Sequence, residues 1–402
     1  MKGGMHMENR KSFVSYLPGV FFAGLLMIGF VFGQYYRKIP SLLSLANPKS
    51  TVDFDALESD FSESLPGRDA LIDLNGSIAK VLNVQSLYGN LGIYVTHDKQ
   101  IVGMYPMTST DYEYKQTVEF KEFLSENGIN LLYVNEPTKY TDDFAFTKEL
   151  GIDTYTNRNM DLFLERIGKA GVNAIDLRES IKKENIDVST LFYKTDHHWT
   201  TEAGLWASRI MADGLNEYCG YNIDIGIFDR SNFTFKEWKN SWLGELGHKL
   251  AASYTGLDDY TEIKPNFETS YGFRNPSGEY VQGTFDNFID ESCYSKTGTV
   301  YENGSWYYSY KTTGSVNNNV RSGKILLLGD SFDHVIVPFL SLAVHKLDFK
   351  CLRTAAADFD LHKYILDEGY DTVIVAYAQF MLGAHDDPEN SNYKLYAFDG
   401  KY

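Results

Sequence analysis

Five short, almost unbroken apolar runs most constrain the fold: INLLYVN from Ile129, VNAIDL from Val172, KILLLG from Lys324, FKCLRTA from Phe349 and TVIVAYA from Thr372. Amphipathic stretches lie between them. YKQTVEFKEFLSENG ends at Gly128, NRNMDLFLERIGKAG at Gly171 and LHKYILDEG at Gly369, and a further helix is expected through VIVPFLSLAVHKL. Glycine just past a helix takes the left-handed position at little steric cost, so each glycine reads as a stop. A strand that is apolar at every position is buried on both faces. The pattern therefore predicts an α/β fold, a three-layer parallel sheet with helices on both faces. Ligands of such sheets bind beyond the carboxyl ends of the strands.

The rhythm is lost between about 222 and 320, where Tyr, Asn, Gly and Phe dominate and EYVQGTFDNF and SWYYSYKTT read as short strands. This predicts a β-rich insertion near the active-site face. Earlier, LGIYVTHDKQIVG reads as a hairpin turning at His97-Asp98-Lys99-Gln100. Helical spacing runs from Asp55 to Asn83, with a break at Pro66-Gly67. Three cysteines, Cys219, Cys293 and Cys351, make neither a disulfide framework nor a zinc pattern, and Cys351 reads as a small core residue. The formal net charge of −17 excludes nucleic acid as a partner, because its phosphates demand cations. It also holds the folded part off anionic lipid.

No charged residue occurs from Ser12 to Tyr36, and about 20 apolar residues suffice to span a bilayer. Tyr16, Tyr35 and Tyr36 fall where the two interfaces would be. A cleavable signal would need a small-x-small site close behind a shorter apolar core. The only candidate, Ser44-Leu45-Ala46, comes after Arg37 and Lys38. We expect a cytoplasmic tail at 1–11, a single-pass anchor at 12–36, a stalk at 37–60 and a catalytic domain at 61–402, with the body outside the cytoplasm. Flanking cations, Lys2, Arg10 and Lys11 against Arg37, Lys38 and Lys49, are balanced and do not set the orientation.

Two segments carry chemistry. Gly329-Asp330-Ser331-Phe332 follows an apolar strand directly, so Ser331 falls at the carboxyl edge of the sheet, where the N–H groups of a helix start can hold an oxyanion. Read alone, the same turn is a helix cap by Ser or Asp. Thr195-Asp196-His197-His198-Trp199-Thr200 supplies what a serine needs: a base, and an acid that fixes the base's tautomer. In an extended segment Asp196 and His198 share a side, while His197 points away. The alternatives for Asp-His-His are a metal site, with few ligands at useful spacing, and a polar helix cap. Thr200, Thr201 and Glu202 read as the start of the next helix. Asp333 and His334 read as capping or solvated groups, and Trp199 as packing for the Asp-His loop. Tyr105, Glu136 and Lys139, each after a predicted strand, are candidates for the crevice wall.

TDHHWT followed by a small-residue helix, with GDSF well downstream, resembles the DHHW family of bacterial proteins, which is similar to the alginate O-acetylation proteins of the SGNH-hydrolase superfamily. Softer similarities lie at Leu65-Pro-Gly-Arg68-Asp69, in the GIYV hairpin, in NSWLGELGHKL from Asn240 and around Arg353. The resemblance implies a permuted SGNH order with Asp196 as orienting acid, His198 as base and Ser331 as nucleophile. It also implies a pocket arginine at Arg353, and the loop at Gly244 is a candidate for a second oxyanion donor. No cofactor or metal is implied. The expected activity is O-acetyl transfer to a surface polysaccharide or cell-wall glycan through an acyl-enzyme, with a membrane-bound O-acyltransferase as acetyl donor. An acetylesterase of the same glycan and a non-catalytic glycan-binding or assembly protein are the alternatives.

Overall fold

The computed structural model describes residues 68–84, 86–88, 93–275, 277–289 and 314–400. The expected tail, anchor and stalk lie outside these residues, as does SWYYSYKTT. No described helix is long and apolar enough to cross a membrane. The chain divides into two compact units, 1–78 and 79–402. Of the first, only residues 68–78 are described, within the helix Arg68–Val81. Everything below concerns the second.

In chain order the strands are β1 (Ser86–Tyr88), β2 (Ile93–Val95), β3 (Ile101–Gly103), β4 (Asn130–Glu136), β5 (Asn173–Asp176), β6 (Phe233–Trp242), β7 (Asp258–Pro265), β8 (Tyr271–Arg274), β9 (Tyr280–Gly283), β10 (Gly314–Asn317), β11 (Lys324–Leu328), β12 (Lys346–Lys350) and β13 (Thr372–Ala378). The central sheet runs β5-β4-β13-β11-β12-β10-β8-β9. Its first five strands are parallel, as the alternation predicts. Successive residues of a strand face opposite sides, and β13 is buried at every position, so both faces of the sheet are covered. The helices Asp111–Glu126, Leu177–Glu184 and Thr201–Cys219 all pack on β4. Each fully buried aliphatic side chain in these strands contributes about 1.5–3 kcal/mol relative to exposure.

The sheet is mixed, which corrects the expectation of a wholly parallel one. β10 pairs antiparallel with β12, and the β8–β9 hairpin continues it outward. A hairpin needs no crossover helix, so the segment after residue 222 loses the αβ rhythm while still extending the sheet and covering the flank of β12. The other described strands of that segment, β6 and β7, form a separate antiparallel pair. A second correction concerns VIVPFLSLAVHKL. Instead of one helix there is a 3₁₀ turn, Ser331–Val335, and a single α-turn, Val337–Leu340. Pro338 cannot donate to the carbonyl four residues back, so no helix from Ser331 passes through it. The predicted hairpin is present as β2–β3, and the N–H of Ile101 donates to the Lys194 carbonyl at 3.0 Å, tying it to the Asp-His loop.

Candidate active site

Residues 192–199 fold back on themselves. Phe192 bridges Trp199 antiparallel, and the N–H of Thr200 donates to the Leu191 carbonyl at 2.8 Å. Thr200 then caps the helix Thr201–Cys219, its side chain accepting from the Ala203 N–H. Within this loop Asp196 and His198 are 1% and 3% exposed. Asp196 Oδ1 lies 2.9 Å from His198 Nδ1 and also accepts the His197 N–H at 2.7 Å. An ionised Asp196 places the ring proton on Nδ1, which leaves Nε2 as an acceptor. Nε2 lies 2.7 Å from Ser331 Oγ. Burial works to raise the Asp196 carboxyl, but the facing His198 ring and its hydrogen bond, with His197 behind them, hold it below the ordinary carboxylate range.

His197 does not point away. The loop is a turn and not an extended strand, so the two rings lie 3.8 Å apart, and His197 Nδ1 is 3.3 Å from Asp196 Oδ1. Burial, then the neighbouring His198, lowers the His197 pKa to about 4.

Other elements clasp the loop. Asp258, at the start of β7, accepts from the N–H of Lys194 at 2.9 Å, and from both the N–H (2.8 Å) and hydroxyl (2.6 Å) of Thr195. The Gly244 N–H donates to Thr195 Oγ1 at 2.8 Å, and the Gly247 N–H to the Thr195 carbonyl at 2.7 Å. This corrects the expectation for Gly244: its N–H is committed to Thr195 and is not available to an oxyanion. Its lack of a side chain serves another purpose. A Cβ there would meet Asp196 Cβ at 2.2 Å.

The nucleophile side is built from the end of β11. The Gly329 N–H donates to the Lys350 carbonyl at 3.0 Å, and Asp330, not Ser331, caps the 3₁₀ turn. Asp330 Oδ1 accepts from the Phe332 N–H at 2.8 Å and Oδ2 from the Ala378 N–H at 2.9 Å, so one carboxylate joins the ends of β11 and β13. The cap reading of the GDS turn therefore holds for Asp330 and leaves the serine hydroxyl to His198. The Ser331 N–H has no protein acceptor among the described residues. Two contacts set the distance between serine and histidine. Trp199 Nε1 donates to the Phe332 carbonyl at 2.8 Å. Gly204, near the start of the helix Thr201–Cys219, lies so close to Val335 that a Cβ would be 2.5 Å from its carbonyl oxygen.

Ser331 opens on a crevice of about 610 Å³ walled by His334, Phe349, Lys350, Arg353 and Phe359. Arg353 lies in a 3₁₀ turn just past β12 and not in the strand. Its guanidinium donates to the Ser391 carbonyl and Asn392 Oδ1. Cys351, half-buried, shares this wall and packs against the edge of the core. Burial, then His198, lowers the His334 pKa to about 3. Asp333 is buried and accepts the Asp330 N–H, a capping role. Of the other candidates, Tyr105 and Lys139 border a small pocket on the His197 side, and burial lowers the Lys139 pKa to about 7. Glu136 is buried beneath the turn. A larger cleft of about 1050 Å³ opens beside Gly323 and Asp371, which precede β11 and β13, and holds none of these groups.

Asp196, His197 and His198 bring potential metal ligands within 4.8 Å of one another, but Asp196 and both His198 nitrogens are already engaged with each other and with Ser331. Asp258 and the Phe332 carbonyl are the supporting groups that sequence reasoning missed. GLDDY carries no signal that singles out its first aspartate.

The covered α/β sheet, with its serine turn at the carboxyl edge, is SGNH-like in fold, and residues 110–225 match the family described as "SGNH hydrolase-like domain, acetyltransferase AlgX". Among particular proteins, the chain is 22% identical over 209 residues to the alginate biosynthesis protein AlgX of Pseudomonas aeruginosa; the match spans 50% of this chain and 42% of that one. In fold it is similar to Bacillus cereus PatB1, with a TM-score of 0.59 and 22% identity, covering 76% of this chain and 99% of PatB1. PatB1 is also known with a sulfonyl adduct. A DHHW family protein from Eubacterium siraeum aligns with a TM-score of 0.54 and 14% identity, over 74% and 91% of the two chains. The resemblance to the DHHW family and to the alginate O-acetylation proteins stands on these findings.

Proposed function

We propose that this chain is a membrane-anchored, extracytoplasmic O-acetyltransferase of a surface or cell-wall polysaccharide, working through an acyl-enzyme on Ser331. The observation that carries the reading is the 2.7 Å contact of Ser331 Oγ with His198 Nε2, at the mouth of a crevice at the carboxyl edge of the sheet. The apolar run at 12–36 supports the anchor, and the similarity to an alginate biosynthesis protein supports a polysaccharide acceptor.

In this mechanism His198 Nε2 takes the Ser331 hydroxyl proton as Oγ attacks the acetyl carbonyl of the donor. Asp196 stabilises the imidazolium. The Ser331 N–H donates to the oxyanion, and collapse expels the donor alcohol, which takes the proton from His198. A sugar hydroxyl then attacks acetyl-Ser331 while His198 accepts its proton, and breakdown releases the acetylated sugar and free Ser331. The donor is a membrane-bound O-acyltransferase, as the resemblance implies. Aromatic and cationic groups on the crevice wall, Phe349, Phe359, Lys350 and Arg353, receive the glycan.

The test uses the full chain with an activated acetyl ester, with and without an oligosaccharide acceptor. Mass spectrometry is expected to find acetyl on Ser331 and, with acceptor present, on the sugar; Ser331→Ala is expected to abolish both. Release of acetate alone, unaffected by acceptor, would assign an esterase. Glycan binding with no acyl-enzyme would assign a non-catalytic protein.

A further inference from the structure

Beneath the nucleophile turn three carboxyl groups meet in full burial: Glu136 from the end of β4, and Asp330 and Asp333 on either side of Ser331. One oxygen of each lies within 4.8 Å of the others. Burial pushes the Asp330 carboxyl up, while its two oxygens accept the N–H groups of Phe332 and Ala378, which favour the ionised form. Asp333 spends Oδ2 on the Asp330 N–H at 2.9 Å. Its Oδ1, and both oxygens of Glu136, have no protein donor among the described residues. The Glu136 and Asp333 carboxyls nonetheless face one another, with an oxygen of each within 4.8 Å. Two ionised carboxylates this close in an interior are acceptors only and repel one another, so the pair calls for a proton between them.

We propose that Glu136 and Asp333 share one proton, and that this acid–carboxylate pair is a positioning device for Ser331. Asp333 holds the Asp330 N–H, Asp330 holds Phe332 and Ala378, and Ser331 is carried between them. A charged pair would drive Asp333 off Asp330 and release the turn. The surroundings agree. Burial, then the charges of Asp333 and Asp330, pushes the Glu136 carboxyl well above the ordinary range, and burial, then Asp330, does the same for Asp333. Tyr133 on β4 also lies near this group and brings no positive charge, whereas His198 and Arg353 act on Asp330 and favour its ionised form. A divalent cation, which takes about six oxygen ligands, would find only three uncommitted carboxylate oxygens here.

The kinetic arm of the test rests on the acyl-transfer reading; the spectroscopic arm does not. Infrared difference spectra of the full chain at neutral pH are expected to show a protonated-carboxyl band that disappears in Glu136→Gln and in Asp333→Asn. Labelling of Ser331 by a fluorophosphonate is expected to stay within about twofold of wild type in Glu136→Gln, whose amide replaces the shared proton, and to fall roughly tenfold or more in Glu136→Ala. The proposal is overturned if wild type and Glu136→Gln have the same carboxyl bands, if Gln is as damaging as Ala, or if the purified protein carries one equivalent of a divalent metal. A wild type that is not labelled at all would refute the acyl-transfer reading, and the infrared band would still decide the pair.

Discussion

Gly244→Ala separates two roles that a glycine beside an active site can have. An alanine keeps the N–H, so a donor role would survive the change. Its backbone, at φ −76° and ψ 174°, is ordinary extended geometry that alanine adopts without strain. What remains is space. The new methyl would stand 2.2 Å from Asp196 Cβ, 2.6 Å from Cγ and 2.7 Å from Cα, and the last of these is backbone. Overpacking of this kind costs about 1–3 kcal/mol. For a unit of about 320 residues with an unfolding entropy near 2.1 cal/mol/K per residue, that is a fall in Tm of about 1.5–4.5 °C. The functional effect is expected to be larger than the thermal one. The loop relieves the clash by moving Asp196 and with it His198, and a displacement of about 1 Å at a reacting group costs roughly 100-fold in rate. Fluorophosphonate labelling of Ser331 measures that rate and differential scanning calorimetry the stability. Labelling and Tm both equal to wild type would refute the spacer role and return Gly244 to the list of possible donors.

Three further changes probe the same clasp. Asp258→Asn replaces a carboxylate that accepts three hydrogen bonds, each worth about 1.5–3 kcal/mol to a charged acceptor; we expect at least tenfold slower labelling, and an unchanged rate would show that the loop holds itself. Trp199→Phe removes the donor to the buried Phe332 carbonyl, at about 1–3 kcal/mol, and should lower Tm and labelling together; loss of one without the other would uncouple the serine turn from the Asp-His loop. The depressed His197 pKa has a defined sign. Above about pH 6.5 His197 is neutral folded or unfolded, whereas between 6.5 and about 4 only the unfolded chain takes up the proton, so stability falls with pH by up to about 3 kcal/mol. His197→Asn should flatten the Tm profile in that window relative to wild type, and parallel profiles would show that His197 titrates normally.

The parallel half of the sheet was legible because its strands are apolar on both faces, a pattern with few other meanings. The serine turn and the acid–base pair were legible because their residue types and chain order are specific. The antiparallel half was not, since β8, β9 and β10 are four residues each and rich in Gly and Tyr. His197 was misplaced because period-two reasoning assumes an extended backbone, and only the Phe192–Trp199 bridge reveals the turn. Gly244 was noticed for the right location and the wrong reason: sequence shows a glycine, but not whether its N–H or its missing side chain is wanted. The contribution of Asp258 depends on β7 folding back beside residue 194, which no local pattern encodes.

The direct seating of the start of the helix Thr201–Cys219 on the serine turn, through Gly204 against Val335 and the preceding Trp199 against Phe332, makes the distance between Ser331 and His198 a property of one tightly packed interface. Among the described residues, none of the contacts named above between the serine turn and the Asp-His loop comes from residues 266–322. The spacing of the two reacting groups is therefore set where residues 198–204 meet 331–335, and a change elsewhere reaches it only by moving one of those segments against the other.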